Sequence, residues 1–147
     1  MKNYITLWVF LTIFATSITS CETSDLNTDN QKENLFLEKI SQWNLTNIKG
    51  GLLGLNENYE TGAVKWTFNS KNSTLSIENN NQKDANLDII KSGNYHYYIV
   101  NNKDMLYLYI EDFEFGHIIR EQNTLKIDQG NTTNGPLTDG YILNFKK

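Results

Sequence analysis

Gly93-Asn94-Tyr95-His96-Tyr97-Tyr98-Ile99-Val100-Asn101 is followed, after Asn102-Lys103-Asp104, by Met105-Leu106-Tyr107-Leu108-Tyr109-Ile110-Glu111. Both runs alternate with a period of two. Tyr95, Tyr97 and Ile99 share one face of the first run, opposite His96, Tyr98 and Val100, while Leu106, Leu108 and Ile110 share one face of the second. Aromatic and β-branched residues in that rhythm fit a pleated, half-buried strand. The polar connection suits a tight turn between antiparallel neighbours, so the pair reads as a hairpin.

The same rhythm extends in both directions. Upstream, Gln42 to Lys49 carries Trp43, Leu45 and, with a slip, Ile48, ending at Gly50-Gly51; Ala63 to Asn69 carries Val64, Trp66 and Phe68; Thr74 to Asn79 carries Leu75 and Ile77. Downstream come His117 to Glu121, Thr124 to Asp128 with Leu125 and Ile127, and Gly140 to Lys146 with Tyr141, Leu143 and Phe145. Short connections such as Asn69 to Ser73 and Gln122-Asn123 join sequence neighbours antiparallel. The expectation is an all-β fold, an eight-stranded antiparallel up-and-down barrel, because closure removes the edges that an open sheet exposes. An open sandwich is the rival. One short N-terminal helix is expected over Leu35 to Ile40, where Phe36, Leu37 and Ile40 stand at helical spacing behind Glu33 and Asn34.

The N-terminus reads differently. Met1-Lys2-Asn3 is a positive start, Tyr4 to Ala15 is an apolar run of twelve residues, and small or polar residues lead to Cys21, the only cysteine. About 20 apolar residues are needed to cross a bilayer, so the run reads as a cleaved signal peptide over residues 1–20. Residues 21–34 are polar and acidic, a tether with a root-mean-square reach of roughly 20 Å. Residues 35–147 are then the folded domain.

Removing residues 1–20 takes away one lysine and no acid, so the formal charge moves from -4 to -5. The whole chain has twelve lysines in scattered positions and a single arginine, Arg120. No basic stripe grips phosphates, which argues against nucleic acid as a partner. His96 and His117 fall on separate strands without metal-ligand spacing, and Glu111-Asp112-x-Glu114 lacks the pattern of a calcium loop and reads as a solvated turn. No G-x-S-x-G, H-E-x-x-H or phosphate-cradling glycine loop is present. Neither catalysis nor a cofactor is expected. The N-x-S/T triplets at Asn44, Asn72 and Asn131 follow from abundant asparagine. Asp128 to Asp139 is a long polar connection, read as a gate to the barrel mouth or as a plain loop.

Two resemblances add to this reading. Ile18-Thr19-Ser20-Cys21 resembles a bacterial lipobox, which implies that the Cys21 sulfur takes a diacylglyceryl group, with a further acyl chain such as palmitate, and becomes the mature N-terminus. Glu22 and Asp25 behind it resemble the surface-export signal of Bacteroidetes lipoproteins. Together they imply export and a lipid anchor in the cell envelope, at the outer membrane, with the periplasmic and surface faces both open. From Trp43 to Phe145 the chain resembles the lipocalin-like lipoproteins of Bacteroidetes: Trp43-x-Leu45, Gly50-Gly51, Gly62 before Trp66-Thr67-Phe68-Asn69, Gly93-Asn94-Tyr95, and Asp139-Gly140 before a strand ending Phe145-Lys146. Ser41-Gln42-Trp43 stands where lipocalins carry G-x-W, and Lys146 is the basic residue this resemblance places across Trp43.

The resemblance implies a small hydrophobic ligand inside the barrel. Trp66, Phe68, Tyr95, Tyr97, Leu106 and Leu108 are the candidates for binding it, against the reading that they fill a dry core. His96, Tyr98, Tyr107 and Tyr109 form an equally aromatic opposite face, and alternation alone leaves open which set points inward. A non-enzymatic module docking an envelope protein through that outer face is the second functional reading.

Overall fold

The computed structural model describes residues 40–81 and 91–147. The expected signal peptide, Cys21, and the expected tether and helix lie outside the described residues, save Ile40, which opens a strand. Eleven strands follow in order: β1 (Ile40–Gly50), β2 (Leu55–Asn58), β3 (Val64–Asn69), β4 (Thr74–Asn79), β5 (Gly93–Asn102), β6 (Met105–Ile110), β7 (Phe113–Arg120), β8 (Thr124–Asp128), β9 (Asn131–Thr132), β10 (Gly135–Pro136) and β11 (Tyr141–Lys146).

Eight of them form a ring. Each strand from β3 to β8 pairs antiparallel with its sequence neighbour, β8 pairs with β11, β11 with β1, and β1 with β3. The fold is therefore the closed antiparallel barrel expected from the alternation. Its eight strands correspond to the eight sequence runs, but β7 begins at Phe113, four residues before the run read from His117, and β2, β9 and β10 match none of the runs. Among the described residues the ring runs from Ile40 to Lys146, and a chain starting at residue 22 contains all of its strands.

Local chemistry explains the turns. Lys103 and Asp104 both have positive φ, 53° and 64°, as a two-residue turn matched to strand twist requires. The slip between Leu45 and Ile48 is a register shift in the β1–β11 pairing between Leu45 and Asn47. It turns both Leu45 and Ile48 inward, where each is fully buried. β2 continues the wall that β3 begins: β1 pairs with β3 over Ile40 to Asn44 and with β2 over Asn47 to Gly50.

The two ends of the barrel differ. One end carries Ile40, the turns after β3, β5 and β7, and the C-terminus. It is plugged by Trp43, fully buried, whose Nε1 donates to Ser41 Oγ at 3.1 Å. The Arg120 guanidinium and the Lys147 ammonium lie 5.6 and 5.4 Å from the Trp43 ring centroid, a favourable cation–π geometry. Lys146, expected across Trp43, instead pairs with Asn44 and is exposed. Strand alternation sends it outward, and the final residue folds back in its place.

At the opposite end the chain turns at Gly50–Leu55, at residues 110–113, and between β8 and β11. Between these ends the core is aromatic. The Trp66 ring lies 5.1 Å from Phe145, 5.5 Å from Phe115 and 6.1 Å from Phe68, and Phe68 meets Tyr97 edge-on at 5.1 Å.

Phe115 reaches this cluster through a bulge. Leu108 pairs with Gly116 and Tyr109 with Glu114, leaving Phe115 as the extra residue. Gly116 has φ 139°, and a Cβ there would stand 2.5 Å from the Asp128 carbonyl oxygen. Gly116→Ala is accordingly expected to cost about 1–3 kcal/mol, read as a lowered urea midpoint at unchanged m-value. An unchanged midpoint would show that the bulge is not set by this glycine.

Candidate functional site

Burial settles which face points inward. Trp66, Phe68, Tyr97 and Leu108 are buried members of the core, and Tyr95 and Leu106 are half-buried against it. All six sequence candidates therefore face the barrel interior; of the opposite face, His96 and Tyr98 are exposed, Tyr109 is half-buried, and Tyr107 is buried against His117, outside the core cluster. The six do not form one site. Leu106 lies toward the plugged end, beside Asn101. Trp66, Phe68 and Leu108 have zero exposure, so no void large enough for water borders them and the middle of the barrel is closely packed. Tyr97 is almost as buried, and burial pushes its phenol up to about 12.

Only Tyr95 reaches an opening. With Ile77, Ile110, Phe113 and Phe115 it lines an apolar recess of about 250 Å³ at the unplugged end, rimmed by Lys91 and Glu111. Tyr95 is held by its hydroxyl, which donates to the Lys91 carbonyl at 3.0 Å. Phe115 forms part of the floor and contacts Trp66 behind it. The indole N–H of Trp66 is buried without a hydrogen-bond partner, an unsatisfied donor in an apolar wall. Phe113 stands on the lip, 79% exposed.

Sequence reasoning missed Phe113 and Phe115 because the acidic residues around them read as a solvated turn. Glu111-Asp112 is indeed the turn, with Glu111 at φ 53°, but β7 already begins at Phe113. Strict alternation from Ile118 puts Phe115 on the outside, and the bulge reverses that parity. A glycine inside an apolar run was the available signal.

A second recess, about 500 Å³, lies at the same end between Gly50, Leu52, Leu53, Leu55, Asp139 and Tyr141. The connection from Asp128 to Asp139, read as a gate or as a plain loop, packs against the outer side of β7. Glu114 accepts from Thr133 N and Thr133 Oγ1, both at 2.6 Å, and from the Tyr109 hydroxyl at 3.0 Å. Asn131 Nδ2 and His117 Nδ1 are 3.4 Å apart. Partial burial holds the His117 imidazole below its usual pKa, with the Lys126 charge acting the same way and Asp128 opposing. Among the described residues no three metal-ligating side chains converge.

No protein-family model matches this chain, and comparison with curated proteins and with solved structures finds no match.

Two of the three shifted groups, His117 and Tyr97, give stability opposite pH dependences. The unfolded chain protonates His117 more readily than the folded one, so stability falls as pH drops below about 6.5. Conversely, the unfolded chain ionises Tyr97 near pH 10 while the folded chain holds the proton to about 12, so stability falls across that interval. Urea midpoints measured from pH 5 to 11 should decline at both limits. His117→Gln should flatten the acid side and Tyr97→Phe the alkaline side; curves identical to wild type would contradict these assignments.

Proposed function

We propose that this protein is an exported lipoprotein, anchored through Cys21, whose barrel binds a small apolar ligand at its unplugged mouth. The observation that carries the binding half is the recess of Tyr95, Ile77, Ile110, Phe113 and Phe115. A large aromatic side chain left exposed at the lip of an apolar concavity is what a ligand would cover. At about 250 Å³ the recess lies just below the roughly 300–1,000 Å³ of pockets for drug-sized molecules. The ligand is therefore small, and it sits at the mouth, above a core that side chains already fill.

The plugged end supports the resemblance to lipocalin-like proteins. A tryptophan on the first strand lies under basic side chains from late in the chain, a closure that leaves one mouth for ligand. The anchor rests on residues 1–21 alone. Two or more acyl chains on Cys21 suffice for stable attachment, and the first strand leaves the tether at the plugged end, away from the mouth.

Docking of a protein partner through the outer tyrosines has less support. Tyr98 and Tyr109 stack at 4.8 Å with planes 10° apart, and Tyr109 is tied to Glu114, so these rings already satisfy one another.

Two measurements test the halves separately. An apolar fluorescent probe titrated into residues 22–147 should bind saturably, and Phe113→Ser, at an exposed position, should weaken it about tenfold without changing the melting temperature. Equal affinity in the variant would remove the recess from the account. For the anchor, radiolabelled palmitate fed to the producing cell should appear on the wild-type protein and be lost in Cys21→Ala; an unlabelled wild type would contradict lipidation.

A further inference from the structure

Eight large apolar side chains are markedly exposed among the described residues, and four of them, Leu52, Leu53, Phe113 and Leu137, lie at the unplugged end. Only Ile40 and Met105 lie at the other. The two leucines are the extreme case, 81% and 99% exposed. They sit at the tip of the β1–β2 hairpin between Gly51 and Gly54, both with positive φ. Gly54 N donates to the Gly51 carbonyl at 3.0 Å, closing a tight tip from which both leucines project into solvent. Leu137, on the β8–β11 connection at the same end, is fixed by its backbone N–H, which donates to the Gly130 carbonyl at 2.8 Å.

We propose that this leucine tip is a membrane-docking wedge, which inserts Leu52 and Leu53 into the apolar boundary of a neutral lipid bilayer. Side chains so exposed gain by leaving water, and an interfacial insertion needs a few such residues projecting together. The charge at this end selects the lipid. Among the described residues, Glu111, Asp112 and Asp139 at the turns of the unplugged end outnumber Lys49 and Lys91, so anionic headgroups would repel it and zwitterionic ones would not.

Chain length permits the contact on the membrane that holds the anchor, a point that rests on the lipoprotein reading above. Residues 21–39 can span at most about 65 Å, while an eleven-residue strand such as β1 is about 35 Å long. The tether can therefore pass the full height of the barrel and bring the far end down to the bilayer. The mouth recess would then open at the lipid surface, where an apolar ligand is exchanged without crossing water.

The test uses residues 22–147, so that no anchor contributes. This form should float with phosphatidylcholine vesicles, less so when phosphatidylglycerol is added. The double variant Leu52→Ser, Leu53→Ser should partition on the order of a hundredfold more weakly, while Ile119→Ser, exposed on the barrel wall, should float like wild type. Because Cys21 is the only cysteine, Leu53→Cys can be labelled alone with an environment-sensitive dye, whose emission should shift to the blue on vesicles; the same label at Ile119→Cys should not shift. Wild type that stays unbound, a double variant that floats equally, or a dye at position 53 that remains in water would each overturn the proposal. Probe binding measured without vesicles should survive in the double variant, so loss of docking and loss of the recess reading are told apart.

Discussion

The pairing of β1 with β11 is the constraint on which the rest depends. These strands are nearly a hundred residues apart in sequence, and their backbone ladder from Asn44–Lys146 to Gly50–Tyr141 converts a meander of local hairpins into a ring without a free edge. Closure fixes inside and outside for every strand at once, since a one-residue slip would turn an entire face over. It also brings Lys147 to the ring of Trp43, and through β7 brings Arg120 to the same ring. The plug at one end and the opening at the other both follow from that join.

With the ring closed, the volume inside is decided by side chains. Trp43, Trp66, Phe68 and Phe145 are large enough to meet across the interior, and their complete burial means that the barrel is solid through its middle. Space remains only where the inward-facing residues run out near the mouth, and there the lining stays apolar. The opening ends up with two apolar features of different shape: a concave recess under Phe113 and a convex leucine tip. The first suits a small molecule and the second a broad surface.

Much of this was legible in the sequence, and the reason is local. Period-two alternation in Val64-x-Trp66-x-Phe68 or Tyr141-x-Leu143-x-Phe145 directly encodes a strand with one buried face, and short polar connections encode antiparallel neighbours. Even the slip at Ile48 was visible before the bulge that causes it. What alternation leaves open is parity relative to the barrel, because inside and outside are properties of closure. The recess was hidden for a related reason. Its lip and floor, Phe113 and Phe115, flank an acidic residue and precede a bulge at Gly116 that inverts the pattern, so the rule that found the other strands misassigned this one. The exposed Leu52-Leu53 pair lies in a glycine-bounded turn, where periodicity carries no information.

The central claim is that an apolar small molecule occupies the mouth of the barrel in the cell. Native mass spectrometry tests it most directly, on the protein purified gently from the producing cell and again after extraction with organic solvent. The account predicts a reproducible adduct of low mass that the solvent removes, with the extract identifying the ligand class. A clean protein mass before extraction, together with no uptake of apolar probes afterwards, would contradict it.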